Sequence, residues 1–415
     1  MKKRFMMLGL SIITALAMCS CSKSGSSTGN DSIEIDSEDL STTDPASVVV
    51  GGSDMMQDPD VQKKLDEINA YIDYLYYFDI DREKQEEALY DGIMEGLDDP
   101  YSVYYTAEEL AALKEDTSGE YVGIGAVVTQ DADMLVSIVR PIPGSPAEEV
   151  GLQAGDIIVE IDGTQIVDQE LTLVVDMIRG TENTSAHIKI YREGEPDYLE
   201  FDVPRRVVEN VSVNSKMLEN NIGYIQVTQF YENTANEFKA AIDEMEASKA
   251  SGIIIDVRDN PGGVLDAVTD MCSYLMDGGT IVTTKDKNGR IMSEYTAGED
   301  HSIKIPMVVL INGNSASASE IFAGAMKDTQ LAKLVGTTTY GKGIVQSVIP
   351  LSDGSGIKIT VAKYFTPNGN DIHEIGIEPD YEVELPDGRT NAVNIPYELD
   401  FQLQKAEEVI LEMLQ

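Results

Sequence analysis

The chain has 415 residues, of which 42% are hydrophobic and 25% are charged, and its formal net charge is −43. Its length allows two or three domains, and its composition is that of a globular protein. So acidic a chain repels the phosphates of nucleic acid and of anionic lipids, which argues against nucleic acid as a partner and against electrostatic docking on membranes.

The N-terminus has the pattern of a targeting segment. The basic start MKKR is followed by an apolar run at 5–18, which is too short for a comfortable membrane span. Cys21 follows a small serine, as at a bacterial lipoprotein cleavage site, whereas Cys19 follows a methionine. We predict a lipoprotein-type signal peptide at 1–21 with Cys21 lipidated. The alternative is an ordinary signal peptide whose cysteines are discarded.

Two segments lead from this signal to the folded protein. Residues 22–54 are rich in Ser, Thr, Gly and Asp, so we predict a disordered acidic tether. Between Val61 and Leu75 apolar residues recur in steps of three and four, as on one face of a helix. A second helical stretch precedes Pro100. We predict a helical region at 55–120 without a partner sheet nearby, packed on itself or on a second subunit.

The rest of the chain divides by its periodicity. Residues 121–205 alternate like β-strands, with one clear helix at 171–178. Residues 206–395 alternate apolar, β-rich runs with helical stretches, which indicates an α/β sheet covered by helices. Residues 396–415 form another amphipathic helix. Only Cys272 remains beyond the N-terminus, so an intrachain disulfide is impossible there.

The stretch NGNSASASEIFAG places three serines before a helical run. Ser317 and Glu320 have the spacing of a capping box, which puts Ser317 at the mouth of the helix. The helix dipole favours negative charge there, and the N–H of Ala318 can help hold an oxyanion. Ser315 lies one step earlier in the loop and Ser319 inside the first turn. These features favour Ser317 as a nucleophile only modestly, because serine-rich helix starts are common.

A serine needs a base, and histidine is the usual one. The chain has three histidines, His187, His301 and His373, and none lies in a glycine-framed sequence. Lys342 stands between two glycines, and a lysine in a dry pocket has a lowered pKa and can act as a base. Gln346, four residues on, could aim the amine. A surface Gly-Lys-Gly turn is the alternative.

The stretch DVRDNPGGVL follows an apolar strand directly. Its glycines, Gly262 and Gly263, leave backbone N–H groups exposed at a strand end, where they could stabilise an oxyanion. The alternative interpretation of this segment is a simple strand-to-helix turn.

Several segments occur together in a recognisable order. They are GLDDPYSVYYT, IGYIQVTQF, DVRDNPGG, INGNSASASEIFAGAMKD, TTYGKGIVQS and KYFTPNGNDIHEIGIEPD. With the β-rich block between the first two, the chain resembles the carboxyl-terminal processing proteases, or tail-specific proteases, over about 55–395. The resemblance implies a ClpP/crotonase-like α/β protease core with an inserted PDZ β-domain and flanking N- and C-terminal helices.

The resemblance also assigns roles. It implies that Ser317 is the nucleophile, Lys342 the base and Gln346 the residue that orients the lysine from one helical turn on. The oxyanion hole would be formed by Gly262 or Gly263 together with Ala318. The polar stretch SEYTAGEDH and the acidic tether depart from the family pattern.

Residues 121–205 resemble a PDZ domain. The stretch YVGIGAVV matches the loop that receives a peptide's terminal carboxylate, so Gly123, Ile124 and Gly125 are expected to bind substrate through backbone N–H groups. Arg179 stands where relatives carry an arginine that is linked to gating of the active site.

The resemblance implies a serine endopeptidase without metal or cofactor, which acts on proteins or peptides with apolar C-termini. We expect a homodimer on the outer face of the bacterial cytoplasmic membrane, held there by its lipid anchor. A PDZ-based binding module on an inactive protease scaffold and a structural surface lipoprotein are the alternatives.

Overall fold

The computed structural model describes residues 55–131, 133–298 and 301–415. The predicted signal peptide, Cys21 and the tether lie outside these residues. Among the described helices, none is long and apolar enough to span a membrane.

The helices follow the predicted pattern closely. The predicted helix at 171–178 spans those residues, and the helix after the three serines begins at Ala318. The helices are α1 (Pro59–Leu75), α2 (Arg82–Glu95), α3 (Ala107–Ser118), α4 (Pro146–Glu149), α5 (Leu171–Ile178), α6 (Thr234–Ala247), α7 (Leu265–Leu275), α8 (Ala318–Asp328) and α9 (Phe401–Met413).

In the part of the chain that the structure describes, strands pair into four sheets, and the strands are numbered in chain order. They are β1 (Val103–Tyr105), β2 (Glu120–Gly123), β3 (Ala126–Gln130), β4 (Val136–Pro141), β5 (Ile157–Ile161), β6 (Thr164–Gln165), β7 (Ser185–Tyr191), β8 (Leu199–Pro204), β9 (Arg206–Glu209), β10 (Val213–Met217), β11 (Ile222–Val227), β12 (Gly252–Asp256), β13 (Gly279–Lys285), β14 (Ile291–Ala297), β15 (Met307–Ile311), β16 (Ala332–Gly336), β17 (Ile344–Pro350), β18 (Gly356–Phe365) and β19 (Tyr381–Glu382).

The central sheet has the order β10-β11-β12-β15-β16-β19 and is parallel except at β10. Helices α6, α7 and α8 cover one face, and α9 covers the other. Strand β15 shows why its sequence is apolar throughout: Val309 faces the first core and Val308 the second. A parallel sheet that is covered on both faces needs such continuous apolar strands.

A second sheet has the order β1-β18-β13-β14, with β17 also paired to β18. Strand β1 belongs to the region that we predicted to be helical and without a partner sheet, and that expectation was wrong. Val103 pairs with Lys358 and Tyr105 with Gly356, so the N-terminal region contributes an antiparallel edge to the sheet beside the candidate site. Three residues are too few to show a strand periodicity.

The β-rich block forms a separate sheet, β3-β4-β5-β7-β8, with β6 on β5, and has its own apolar core under α5. The pair β2-β9 forms the stem of the block, because Gly123 on β2 pairs with Arg206 on β9. The observed fold confirms the prediction of a mixed α/β protein with an inserted PDZ-like β-domain.

Candidate active site

The three serines before α8 lie in different environments. The Ser315 hydroxyl donates to the carbonyl oxygen of Val257 (2.8 Å), and the Ser319 hydroxyl donates to that of Asn260 (2.8 Å). Both bonds fix the start of α8 to the loop after β12. Ser315 and Ser319 therefore act as structural ties on either side of Ser317.

Ser317 has an unusual backbone. Its φ of 55° and ψ of −111° are rare for a residue with a side chain, and such strain persists only where the surroundings enforce it. Ser317 is the N-cap of α8, as the capping-box spacing predicted, and its N–H donates to Glu320 Oε2 (2.8 Å). The residue is 4% exposed. The structure thus holds the predicted nucleophile in a fixed position at a helix N-terminus.

Glu320 joins the serine loop to the Gly-Lys-Gly turn. Its Oε2 accepts the N–H groups of both Ser317 and Lys342, each at 2.8 Å. Its Oε1 accepts the Gly341 N–H (2.7 Å) and the Thr339 hydroxyl (2.6 Å). The backbone nitrogens of Ser317 and Lys342 therefore lie within two hydrogen-bond lengths of each other. Burial raises the pKa of Glu320, and the hydrogen bonds to its carboxylate oppose that shift.

Lys342 is buried and not part of an exposed turn. Its residue is 4% exposed, and its Nζ lies 4.9 Å from the centre of the Tyr101 ring. Burial lowers the pKa of Lys342 to about 8, although the charges of Glu320 and Asp99 act in the opposite direction. An amine with such a pKa is partly neutral near pH 7, as a general base requires.

Gln346 lies on β17 and not on a helix, so the expected geometry of one helical turn was wrong. A bulge in the pairing of β17 with β18 falls between Val345 and Gln346. The Gln346 side chain is buried, and its Nε2 donates to the Tyr101 carbonyl oxygen. Within the described residues its Oε1 has no hydrogen-bond partner. The acceptor end of this amide is therefore free to receive a donor.

Of the predicted oxyanion glycines, Gly262 packs directly against the serine loop and Gly263 against Phe230. A Cβ at Gly262 would lie 2.9 Å from the Ser317 Cβ, and one at Gly263 only 2.0 Å from the Phe230 carbonyl oxygen. Their φ values of 106° and 149° also favour glycine. The Gly262 N–H donates to Asn260 Oδ1 (2.9 Å), so the N–H of Gly263 is the better candidate donor.

Sequence reasoning missed the loop at 98–102 and a second buried lysine. The loop brings Tyr101 onto Lys342 and Gln346. Lys358 on β18 donates to the Tyr105 hydroxyl (2.8 Å), and burial, followed by the charge of Lys342, lowers the pKa of Lys358 to about 8. The only available signal was the segment DDPYS itself, whose spacing does not indicate this contact.

The histidines fall in three places. His187 lies on the PDZ-like sheet beside Asp202, and His301 stacks on Tyr274. His373 packs against the Gly-Lys-Gly turn, because a Cβ at Gly343 would lie 2.3 Å from its backbone nitrogen. None of the three histidines lies in a glycine-framed sequence, but the fold brings His373 against a glycine of the Gly-Lys-Gly turn. Its Nδ1 is buried without a hydrogen-bond partner among the described residues.

The predicted carboxylate loop lines a groove in the PDZ-like block. Gly123, Ile124 and Gly125 line the groove together with Val175 and Ile178 of α5, and Arg179 lies at the end of α5. The cation of Arg179 lies 5.3 Å from the centre of the Tyr121 ring. It also lies 3.8 Å from Glu115 on α3. The groove combines backbone N–H groups, an apolar floor and one cation.

Known proteins share both parts of this architecture. The family Peptidase family S41 matches residues 221–383, and the PDZ domain family matches residues 137–192. Carboxy-terminal processing protease CtpA of Bacillus subtilis is 37% identical over 78% of this chain and 70% of its own. Carboxyl-terminal-processing protease of Synechocystis sp. is 37% identical over 74% of this chain and 73% of its own.

Among solved structures, the photosystem II D1 C-terminal processing protease has 32% sequence identity and a TM-score of 0.47, over 76% of this chain and 86% of that chain. The sequence relatives exceed 30% identity over most of both chains, and this chain itself matches the S41 peptidase and PDZ families. The chain therefore belongs to the carboxyl-terminal processing proteases, serine peptidases of family S41 that carry a PDZ domain.

Proposed function

We propose that Ser317 is the nucleophile and Lys342 the general base of this protease. The observation that carries the proposal is the shared carboxylate of Glu320, which holds the backbones of both residues while burial lowers the pKa of the lysine. The neutral amine takes the Ser317 proton as Oγ attacks the substrate carbonyl. It then returns the proton to the leaving amine.

The oxyanion formed by this attack needs hydrogen-bond donors that already point at it. The N–H groups of Ala318 and Gly263 fill this role, with Gly262 packed on the serine loop. Gln346 orients the lysine, since its amide oxygen is free to accept from the Lys342 ammonium once the amine is protonated. Neither step needs a metal or a cofactor.

The serine assignment is tested by substituting each of the three serines. Ser317→Ala should abolish peptide hydrolysis in a folded protein. Ser315→Ala and Ser319→Ala, which remove side-chain hydrogen bonds that hold the start of α8, should lower thermal stability and retain most turnover. Full activity in Ser317→Ala would refute the assignment. Loss of activity in a folded Ser315→Ala protein would indicate Ser315 as the nucleophile instead.

The PDZ groove is proposed to receive the C-terminus of the substrate. An apolar last side chain suits the floor formed by Val175 and Ile178, and a free carboxylate suits the backbone N–H groups of Gly123, Ile124 and Gly125. Charge-assisted hydrogen bonds contribute roughly 1.5–3 kcal/mol each, so amidation of the tail should cost about tenfold in affinity or more. Equal kcat/KM values for free and amidated peptides would contradict this role.

Membrane anchoring through Cys21 is proposed from the sequence alone, as is the location on the outer face of the bacterial cytoplasmic membrane. The support is the basic start, the apolar run and the Ser20–Cys21 pair. Cys21→Ser should release the protein from the membrane fraction, and Cys19→Ser should not. Unchanged fractionation of the Cys21 variant would refute the anchor.

A homodimer is proposed from the N-terminal helices. Helix α1 has no buried residue, and Tyr74 on it and Tyr77 after it are 86% and 90% exposed. Large exposed aromatic side chains at the C-terminal end of α1 favour a contact with another protein chain. Light scattering should give twice the chain mass for the intact protein and a monomer after Tyr74→Ser and Tyr77→Ser together. A monomeric intact protein would overturn the proposal.

A further inference from the structure

The loop between α2 and β1 is fixed to the sheet that carries Gln346. Asp99 accepts the Tyr101 N–H (3.0 Å), the Ser102 hydroxyl (2.6 Å) and the Thr360 hydroxyl (2.7 Å). Thr360 on β18 is in register with Gln346 on β17. The loop is thus held by a charged acceptor against the strand pair of the site, although it comes from the other end of the chain.

Tyr101 is the residue that this loop delivers to the site. Its hydroxyl forms a hydrogen bond with Tyr340, and two further contacts involve Lys342 and Gln346. Its ring lies against the Lys342 Nζ, 4.9 Å from the ring centre. Its carbonyl oxygen accepts from Gln346 Nε2. An amide side chain has one donor end and one acceptor end, so fixing the donor end leaves Oε1 as the end that an ammonium can use. One residue therefore contacts both the base and the residue that orients it.

We propose that Tyr101 is a positioning residue of the peptidase reaction: its ring closes the pocket of the Lys342 amine against water, and its carbonyl fixes which end of Gln346 serves that amine. The proposal rests on the Ser317–Lys342 dyad proposed above. It assigns to the N-terminal region a part in the reaction that lies outside both family matches, which cover residues 137–192 and 221–383.

The ring affects the amine in two opposing ways. Contact with the ring face favours the charged amine, whereas exclusion of water disfavours it. Burial is the largest influence on Lys342 and lowers its pKa, so removal of the ring should raise that pKa. The other charged groups near the amine are Glu320 on α8, Asp99 in the loop and Lys358 on β18, and His373 lies beside the turn. None of these changes in a Tyr101 variant.

The experiment compares kcat/KM as a function of pH for the intact protein, Tyr101→Ala and Tyr101→Phe. In Tyr101→Ala, the acid limb of the kcat/KM–pH profile should shift to higher pH by about one unit, which lowers kcat/KM at pH 7 about tenfold. In Tyr101→Phe the ring and the backbone carbonyl remain. The acid limb should therefore stay in place, and kcat/KM at pH 7 should change by less than about twofold. If the Ala variant does not fold, Tyr101→Leu replaces it. An acid limb that stays in place without the ring would overturn the proposal.

Tyr105→Leu is the matched control, because Tyr105 also places its ring on a buried amine, that of Lys358, from the same segment. This variant should not move the acid limb to higher pH. An upward shift equal to that of Tyr101→Ala would mean that the segment had merely loosened, and would overturn a specific role for Tyr101.

A second measurement separates this proposal from the dyad itself. In a Ser317→Ala background, the Lys342 amine is titrated by competitive acetylation and mass spectrometry, with and without Tyr101→Ala. The amine should titrate about one pH unit higher without the ring. Identical titrations would overturn the Tyr101 proposal and leave the dyad standing. Activity that survives Lys342→Ala would remove the dyad, while the amine titration would still report on the ring.

Discussion

Lys342 and Arg179 are the cations of the two predicted sites, and their surroundings differ in almost every respect. Lys342 is 4% exposed, and its turn is bound to Glu320 by hydrogen bonds of 2.7 and 2.8 Å. The side chain of Arg179 is 41% exposed, and it lies 3.8 Å from a Glu115 carboxylate that is equally open to solvent.

The difference matches the functions that we propose for the two sites. Peptide-bond hydrolysis needs groups that are in place before the substrate arrives, and buried hydrogen-bonded networks supply that order. Capture of varied C-termini needs a groove that can adapt, and an exposed ion pair contributes only about 0–1 kcal/mol, so it can break at little cost. The comparison predicts large effects of substitutions at the first site and small effects at the second.

The largest effect is expected for Lys342→Ala, which removes the proposed base. We expect a loss of at least about a thousandfold in kcat, as is typical when one member of a catalytic set is removed. His373→Gln is the matched control, because His373 packs on the same turn. It should retain activity within about fivefold. A dead, folded His373 variant would make the histidine the base.

Glu320→Gln should come next, since an amide can accept with one oxygen only and turns its NH₂ toward backbone N–H groups. We expect a loss of about tenfold to a hundredfold in kcat together with a lower melting temperature. Glu237→Gln is the control: Glu237 on α6 accepts the N–H groups of Ser212 and Val213 (2.9 and 3.0 Å), far from the dyad in sequence. It should lower the melting temperature only. Equal losses of kcat in Glu320→Gln and Glu237→Gln would contradict a specific role of Glu320 in holding the serine loop and the lysine turn together.

The pH dependence is the third prediction. Since the pKa of Lys342 is lowered to about 8 and only the neutral amine is a base, kcat/KM should rise with pH through that value. Below it, activity should fall about tenfold per pH unit. A limb near 6.5, the ordinary value for histidine, would contradict a lysine base.

The smallest effect is expected for Arg179→Ala. Its exposed contacts with Glu115 and Tyr121 are individually weak, so kcat/KM for a free-tail peptide should change by no more than about fivefold. Val175→Ala, which removes apolar surface from the groove floor, provides the comparison within the same groove. A hundredfold loss in Arg179→Ala would show that the groove is as rigidly built as the dyad.

The sequence predicted what is local in this fold. The helix at Ala318, the cap at Ser317 and the turn at Gly262 each follow from residues a few positions apart. The contact between Tyr101 and Gln346 spans 245 positions, and it forms because the pairing of β1 with β18 and the Asp99–Thr360 hydrogen bond hold the N-terminal segment there. Spacing cannot indicate such a contact. Spacing also gave a wrong expectation for Gln346. A separation of four residues fits one turn of a helix, but Gln346 lies on β17, next to a bulge in its pairing with β18.

The most direct test of the central claim is covalent labelling of the serine. A fluorophosphonate probe reacts with a serine hydroxyl only when a base activates it. Mass spectrometry should find one adduct, on Ser317, in the intact protein and in His373→Gln, and no adduct in a folded Lys342→Ala protein. An adduct on Ser315 or Ser319, or undiminished labelling of Ser317 without Lys342, would contradict the account.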